Sequence, residues 1–224
     1  MDKWKGVTKT GAIAAFAMLV VMIIQILIFV IWPPPETVEE FYALFQQSKL
    51  LGLLSLDLLY LVNNTLLILF YLGLFAALRK VSFSASLIAL VLGLVGIAAY
   101  YASNTAFEML SLSSQFTAAT TDTVRLQLLA AGQVMLETYK GTAFDVYYVL
   151  NGIMLLILAL VMLRTTVFNK VTASFALASG VLMSIPSTAG TIGLVFSLLS
   201  LIPWGVFSVL AALRLLKLSS SAEE

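Results

Sequence analysis

The chain has 224 residues, of which 61% are hydrophobic and 10% charged, with a formal net charge of +1. Soluble domains carry roughly 25% charged residues, so this composition excludes an ordinary water-soluble domain, and no clustered basic surface is available for a nucleic-acid partner. Cysteine and histidine are both absent, which excludes disulfides, thiolate nucleophiles, iron–sulfur clusters and His-ligated zinc or haem.

The N-terminal MDKWKGVTKT is basic, and an uncharged run from Gly11 to Trp32 follows. A secretory signal would have a shorter apolar core and a small-residue cleavage site, so this run is an uncleaved first span, about 11–32. Pro33, Pro34 and Pro35 stop it, because proline cannot continue the helical hydrogen-bond ladder. Thr37 with Glu40 three positions later is a capping-box pattern. It opens a short amphipathic surface helix, about 37–48, with Phe41, Leu44 and Phe45 on one side.

The second span, about 50–79, ends at Arg79-Lys80 and carries Asp57, Asn63 and Asn64 among apolar residues. Leu58 to Leu78 alone covers about 30 Å at 1.5 Å per residue, the thickness of the hydrocarbon layer. Asp57, Tyr60 and Asn64 follow at i, i+3 and i+7 and share a helical face. The third span, about 82–103, meets no helix breaker at its end. Tyr100, Asn104 and Glu108, spaced i, i+4 and i+8, are therefore expected to carry one polar face onward beyond the hydrocarbon.

After the loop TAATTDT a second amphipathic helix is expected over about 122–140, with Val124, Leu128, Ala131 and Met135 on its apolar side. Gly141 ends it. The fourth span, about 142–164, puts Asp145 with Tyr148 on one face and Tyr147 with Asn151 on another. No charge occurs from Val171 to Leu213, which is room for two more spans, about 170–187 and 190–214, around a turn at Pro186 to Gly190. A polar tail, 218–224, closes the chain.

These segments predict an all-α polytopic bundle of six transmembrane helices in one domain, 1–217, with two extracytoplasmic amphipathic helices. Nine basic residues, including Lys3, Lys5, Lys9, Arg79 and Arg214, fall on one side of that topology, and three (Lys49, Arg125, Lys140) on the other. The positive-inside rule then puts both termini in the cytoplasm. Small residues recur every four positions at Thr172, Ala176, Gly180 and Ser184, and at Ala189, Gly193 and Ser197. Such faces let helices approach closely in lipid, within the bundle or against a second copy or a membrane partner.

The acidic residues show the opposite bias and gather with tyrosine and asparagine in the outer half of the spans. Polar groups at membrane depth turn to the bundle interior or to a wet cavity. Asp57, Tyr60 and Asn64 are therefore expected to face Tyr100, Asn104 and Glu108, together with Asp145, Tyr148 and Asn151. No basic residue lies at that depth, so a bound cation or a shared proton would compensate the carboxylates. The set predicts an outer-facing polar cavity between spans two, three and four, roofed by the amphipathic helices, that binds or transports a small or lipid-like ligand. The plainer alternative is a rim of helix-end groups facing headgroups and water.

No Gly-x-Gly-Asp motif, Gly-x-Ser-x-Gly elbow, Walker loop or dinucleotide fingerprint is present, so no catalytic residue, cofactor or metal centre is expected. A carboxylate-dependent intramembrane enzyme acting on lipids is the first alternative, and an accessory subunit of a membrane complex the second.

The size, the long extracytoplasmic segment before span four, and the stretches DLLYLVNN (57–64) and YYVLNG (147–152) resemble a broad group of small six-helix bacterial membrane proteins of unknown function. That resemblance implies the bacterial inner membrane and supplies no activity, ligand or site residue.

Overall fold

The structure, a computed structural model, describes residues 4–220, which form ten helices and no strand. In chain order these are α1 (Lys5–Ile31), α2 (Val38–Gln47), α3 (Lys49–Ser55), α4 (Leu58–Leu78) and α5 (Phe83–Ser103). There follow α6 (Ala106–Ala118), α7 (Asp122–Tyr139), α8 (Thr142–Leu163), α9 (Lys170–Met183) and α10 (Gly190–Ser220). Five helical segments are long and apolar enough to cross a membrane: α1, α4, α5 with α6, α7 with α8, and α10; α9 is apolar but shorter.

Side-chain placement fits a lipid solvent. Large apolar residues point outward all round the bundle, among them Val20, Leu27 and Val30 of α1, Val91 of α5, and Ile192 and Ile202 of α10. Hydrocarbon is as apolar as these side chains, so their exposure costs nothing there and close packing decides the interior. Phe70, Leu74, Leu78, Leu155, Phe207 and Ala211 are completely buried, and Phe70 lies 6.3 Å from Trp204 and 6.0 Å from Phe207, ring centre to ring centre. Glycine sets the closest crossing: a Cβ on Gly11 of α1 would come within 2.7 Å of the Gly73 Cα of α4. Gly152 of α8 meets Gly180 of α9 in the same way, 3.1 Å from its carbonyl oxygen. The small-residue face of α9 is thus used inside the bundle.

Contacts along the bundle fix which helix ends lie together. At one end Trp4 packs on Phe75 at 5.8 Å, with the Arg79 guanidinium 4.8 Å over its ring, and Arg214 donates to the Val167 carbonyl. At the opposite end the Thr188 hydroxyl donates to Asp145 Oδ2 at 2.5 Å. The helix expected over 170–187 stops at Met183, because Pro186 disfavours helical backbone before it. Its 14 residues rise only about 21 Å, and the turn after it makes up the remaining distance to Asp145. α10 continues to Ser220, into the segment expected as a polar tail; residues 221–224, like Lys3, lie outside the described residues.

At the Asp145 end four short helices, α2, α3, α6 and α7, build a cap with its own core. Val38, Phe41, Tyr42, Phe45, Leu56, Ala106, Met109 and Leu136 form it. The Thr37–Glu40 capping box is present as expected, and Tyr42 Oη donates to the Leu128 carbonyl at 2.8 Å.

Three expectations are corrected in this region. The second span is not one helix, because α3 ends at Ser55 and α4 begins at Leu58. The third span does not carry its polar face outward: Asn104 is extended (φ −74°, ψ 119°) and α6 starts afresh at Ala106. A third separate helix therefore joins the cap, and α3 a fourth. Finally, the inward side of α7 is rotated. Val124 is 42% exposed, whereas Gly132 and Leu136 are buried, because Val38 and Tyr42 of α2 press against Gly132.

Candidate functional site

The site grows from the break between α3 and α4. The last turn of α3 tightens, with Leu56 N–H donating to Leu53 O and Asp57 N–H to Leu54 O, both at 3.2 Å. Asp57 then takes a left-handed backbone (φ 61°, ψ 32°), a conformation that Asp and Asn tolerate better than other side-chain-bearing residues. Breaking a helix inside a packed bundle frees carbonyls that must find donors. Gln25 of α1 donates to Leu54 O at 3.0 Å, and Asn104 donates to Leu56 O at 2.8 Å. Asn104 Oδ1 meanwhile accepts from Ala106 N–H at 3.2 Å, so one side chain ties the α3–α4 break to the α5–α6 break.

Asp57 is 9% exposed. Its Oδ2 accepts a hydrogen bond from the phenol of Tyr139 at the end of α7, and its Oδ1 is buried with no hydrogen-bond partner. Around it stand tyrosines from α4, α5 and α8. Tyr60 and Tyr100 are 6.4 Å apart ring to ring, Tyr100 and Tyr147 5.0 Å, and Tyr147 and Tyr148 5.9 Å. The carboxylate acts electrostatically on Tyr60, Tyr100, Tyr139, Tyr147 and Tyr148. Tyr100 Oη is itself buried and unpartnered. Asn64 borders the group, its amide donating to the Tyr60 carbonyl at 2.9 Å.

The other expected residues are placed differently. Asn151 accepts from Tyr71 Oη at 2.5 Å and donates to the Tyr147 carbonyl at 2.8 Å, a tie between α4 and α8. Asp145 takes Thr188 as its partner, not the Asp57 group. Glu108 is exposed on α6. Asp57, Tyr60, Tyr100 and Tyr148 therefore share one cluster, Asn64, Asn104 and Asn151 flank it, and Asp145 and Glu108 serve elsewhere. Tyr139, Tyr147 and Tyr71 belong to the network but were not among the expected residues. Tyr139 lies seven residues after Gly132 and three after Leu136, so a reading of α7 on that face would have found it.

Beside the cluster, on the outward sides of α4, α5 and α6, an open groove of about 440 Å³ is lined by Leu61, Val62, Thr65, Tyr101, Asn104, Phe107 and Glu108. Its apolar walls include Val62 (52% exposed) and Phe107 (57% exposed). Thr65 Oγ1 and Tyr101 Oη are hydrogen-bonded at 2.9 Å on its surface, and the exposed Glu108 is part of its lining. Among the described residues no group of three acidic side chains could hold a metal ion.

No family model, no curated protein and no solved structure matches the chain.

Proposed function

We propose that this is a six-span plasma-membrane protein of the bacterial type, with both termini in the cytoplasm and the cap on the outer side, that binds an amphiphile in the α4–α5–α6 groove. The groove carries the proposal. Leu61, Val62 and Phe107 offer an apolar wall, and Thr65 and Tyr101 offer hydroxyls. The exposed Glu108 sets the sign of charge in the groove, so the occupant is an acyl-chain lipid whose headgroup bears an amine. α9 counts as a crossing in this reading because its turn reaches Asp145 near the start of α8.

The lipid-directed enzyme has less support, since Asp57 and Asp145 have different partners and so lack a shared proton between them. The accessory-subunit reading has less small-residue surface to draw on, because Ala176, Gly180 and Ser197 are buried within the chain, while Ser184 and Ala189 are exposed.

The test is thermal stabilisation of the detergent-purified protein by phosphatidylethanolamine against phosphatidylglycerol. The ethanolamine lipid should stabilise the parent more. Val62→Trp, which fills the groove, should remove most of the effect, and Glu108→Gln should remove the headgroup preference. Equal responses in parent and both variants would overturn the proposal.

A further inference from the structure

We propose that the Asp57 carboxylate, at the break between α3 and α4, is a binding site for a monovalent cation of the sodium class. The inference stands apart from the lipid groove and uses different residues.

A carboxylate taken out of water needs compensation, by a counter-charge or by hydrogen bonds to each oxygen. Asp57 has half of this. Oδ2 receives the Tyr139 hydroxyl, while Oδ1 is buried and receives nothing. The ordinary explanation for an acid at a helix start is capping, yet Asp57 makes no side-chain hydrogen bond to the first turn of α4. No lysine or arginine acts on it either; burial and Tyr139 are the influences its carboxyl feels.

What surrounds it is a set of oxygens. From α4 comes Tyr60, from α5 Tyr100 and from α7 Tyr139, all feeling the Asp57 charge. Tyr147 and Tyr148 of α8 feel it too, but their hydroxyls are engaged by Asn64 and by Ser197 and Ser200. Tyr100 Oη, like Asp57 Oδ1, is buried and left without a partner. Two orphaned oxygens in one dry, phenol-lined place, one carrying a charge, match the all-oxygen coordination that hard cations take. A divalent ion would call for more carboxylates than the single one present. Interrupted helices whose ends turn toward a buried ion are a recurrent way of holding sodium at membrane depth, and the left-handed Asp57 lies at such an interruption.

The experiment is a thermal-melting titration of the full-length protein in detergent, with sodium chloride replacing choline chloride at constant ionic strength. The parent should show a saturable rise in Tm with sodium and none with choline. Asp57→Asn, whose side chain also tolerates the left-handed backbone, should lose the sodium response. Tyr100→Phe, which keeps the ring and removes one oxygen, should need about tenfold more sodium to reach half effect; it keeps the proposal falsifiable if Asp57→Asn does not fold. A parent that melts identically in sodium and choline would overturn the site, as would an Asp57→Asn protein that still responds to sodium. Stabilisation by acid alone, with sodium inert, would assign a proton instead and overturn it equally.

Discussion

The phenol of Tyr139 donates a hydrogen bond to Oδ2 of Asp57, a residue 82 positions earlier in the chain. That bond joins the last turn of α7, a cap helix, to the hinge at the head of α4 in the bundle. It gives the buried carboxylate the one hydrogen bond it has, and so couples the seating of the cap to the α3–α4 break.

Removing the donor should therefore be felt throughout. Tyr139→Phe leaves a second carboxylate oxygen buried without a partner, at a cost of about 1–3 kcal/mol. The expected readout is a lower Tm. In an Asp57→Asn background, where no buried charge remains, the same substitution should cost less. A double-mutant cycle showing equal cost in both backgrounds would mean that the bond contributes nothing.

Helix packing makes opposite predictions for Gly11, at the α1–α4 crossing, and Gly205 of α10. A side chain at Gly11 would collide with backbone at 2.7 Å, and backbone cannot swing aside. Gly11→Val should destabilise by about 1–3 kcal/mol through overpacking. A Cβ at Gly205 of α10 meets nothing within 4 Å, so Gly205→Ala should be neutral or slightly stabilising. Thermal unfolding of the two variants beside the parent checks the sign of each.

The capping box gives a pH dependence. Backbone N–H groups of Glu36 and Thr37 donate to the Glu40 carboxylate and hold its pKa below the ordinary value. A depressed folded-state pKa means that the box stabilises α2 above the unfolded-state value and that this is lost as pH falls through the folded-state value. The difference in Tm between parent and Glu40→Gln should thus be present at neutral pH and shrink in acid. The effect is expected to be small, because the group is solvent-exposed and surface charges are screened.

Sidedness is directly measurable because the chain has no cysteine. Thr120→Cys in the cap and Thr166→Cys between α8 and α9 are both at exposed positions. An impermeant maleimide added to intact cells should label the first and spare the second. The reverse pattern would invert the proposed topology.

Much of the helical layout was legible in the chain because its causes are local. Uncharged runs long enough to cross hydrocarbon mark α1, α4, α5, α8 and α10, and the prolines after Trp32 end α1. Thr37 and Glu40 cap α2 across a single turn. The concentration of Asp, Asn and Tyr at one end of the spans was legible for the same reason, since depth follows from counting residues along a helix.

The partners were not legible. Leu50 to Arg79 has nothing in its local pattern that breaks the helix at Leu56. The break is supported by Asn104, 48 residues away, and Gln25, 29 residues from the carbonyl it serves. Asp145 has the helical spacing of a residue facing Tyr148, yet its hydrogen bond goes to Thr188, 43 residues later. By itself, then, the sequence determined which segments are apolar enough for lipid and at which level their polar residues lie, because hydrophobicity and helical rise are properties of neighbouring residues. Only the tertiary structure decided where two helices part and which tyrosine reaches Asp57, because a freed carbonyl or a buried carboxylate is satisfied by whatever donor packing brings to it.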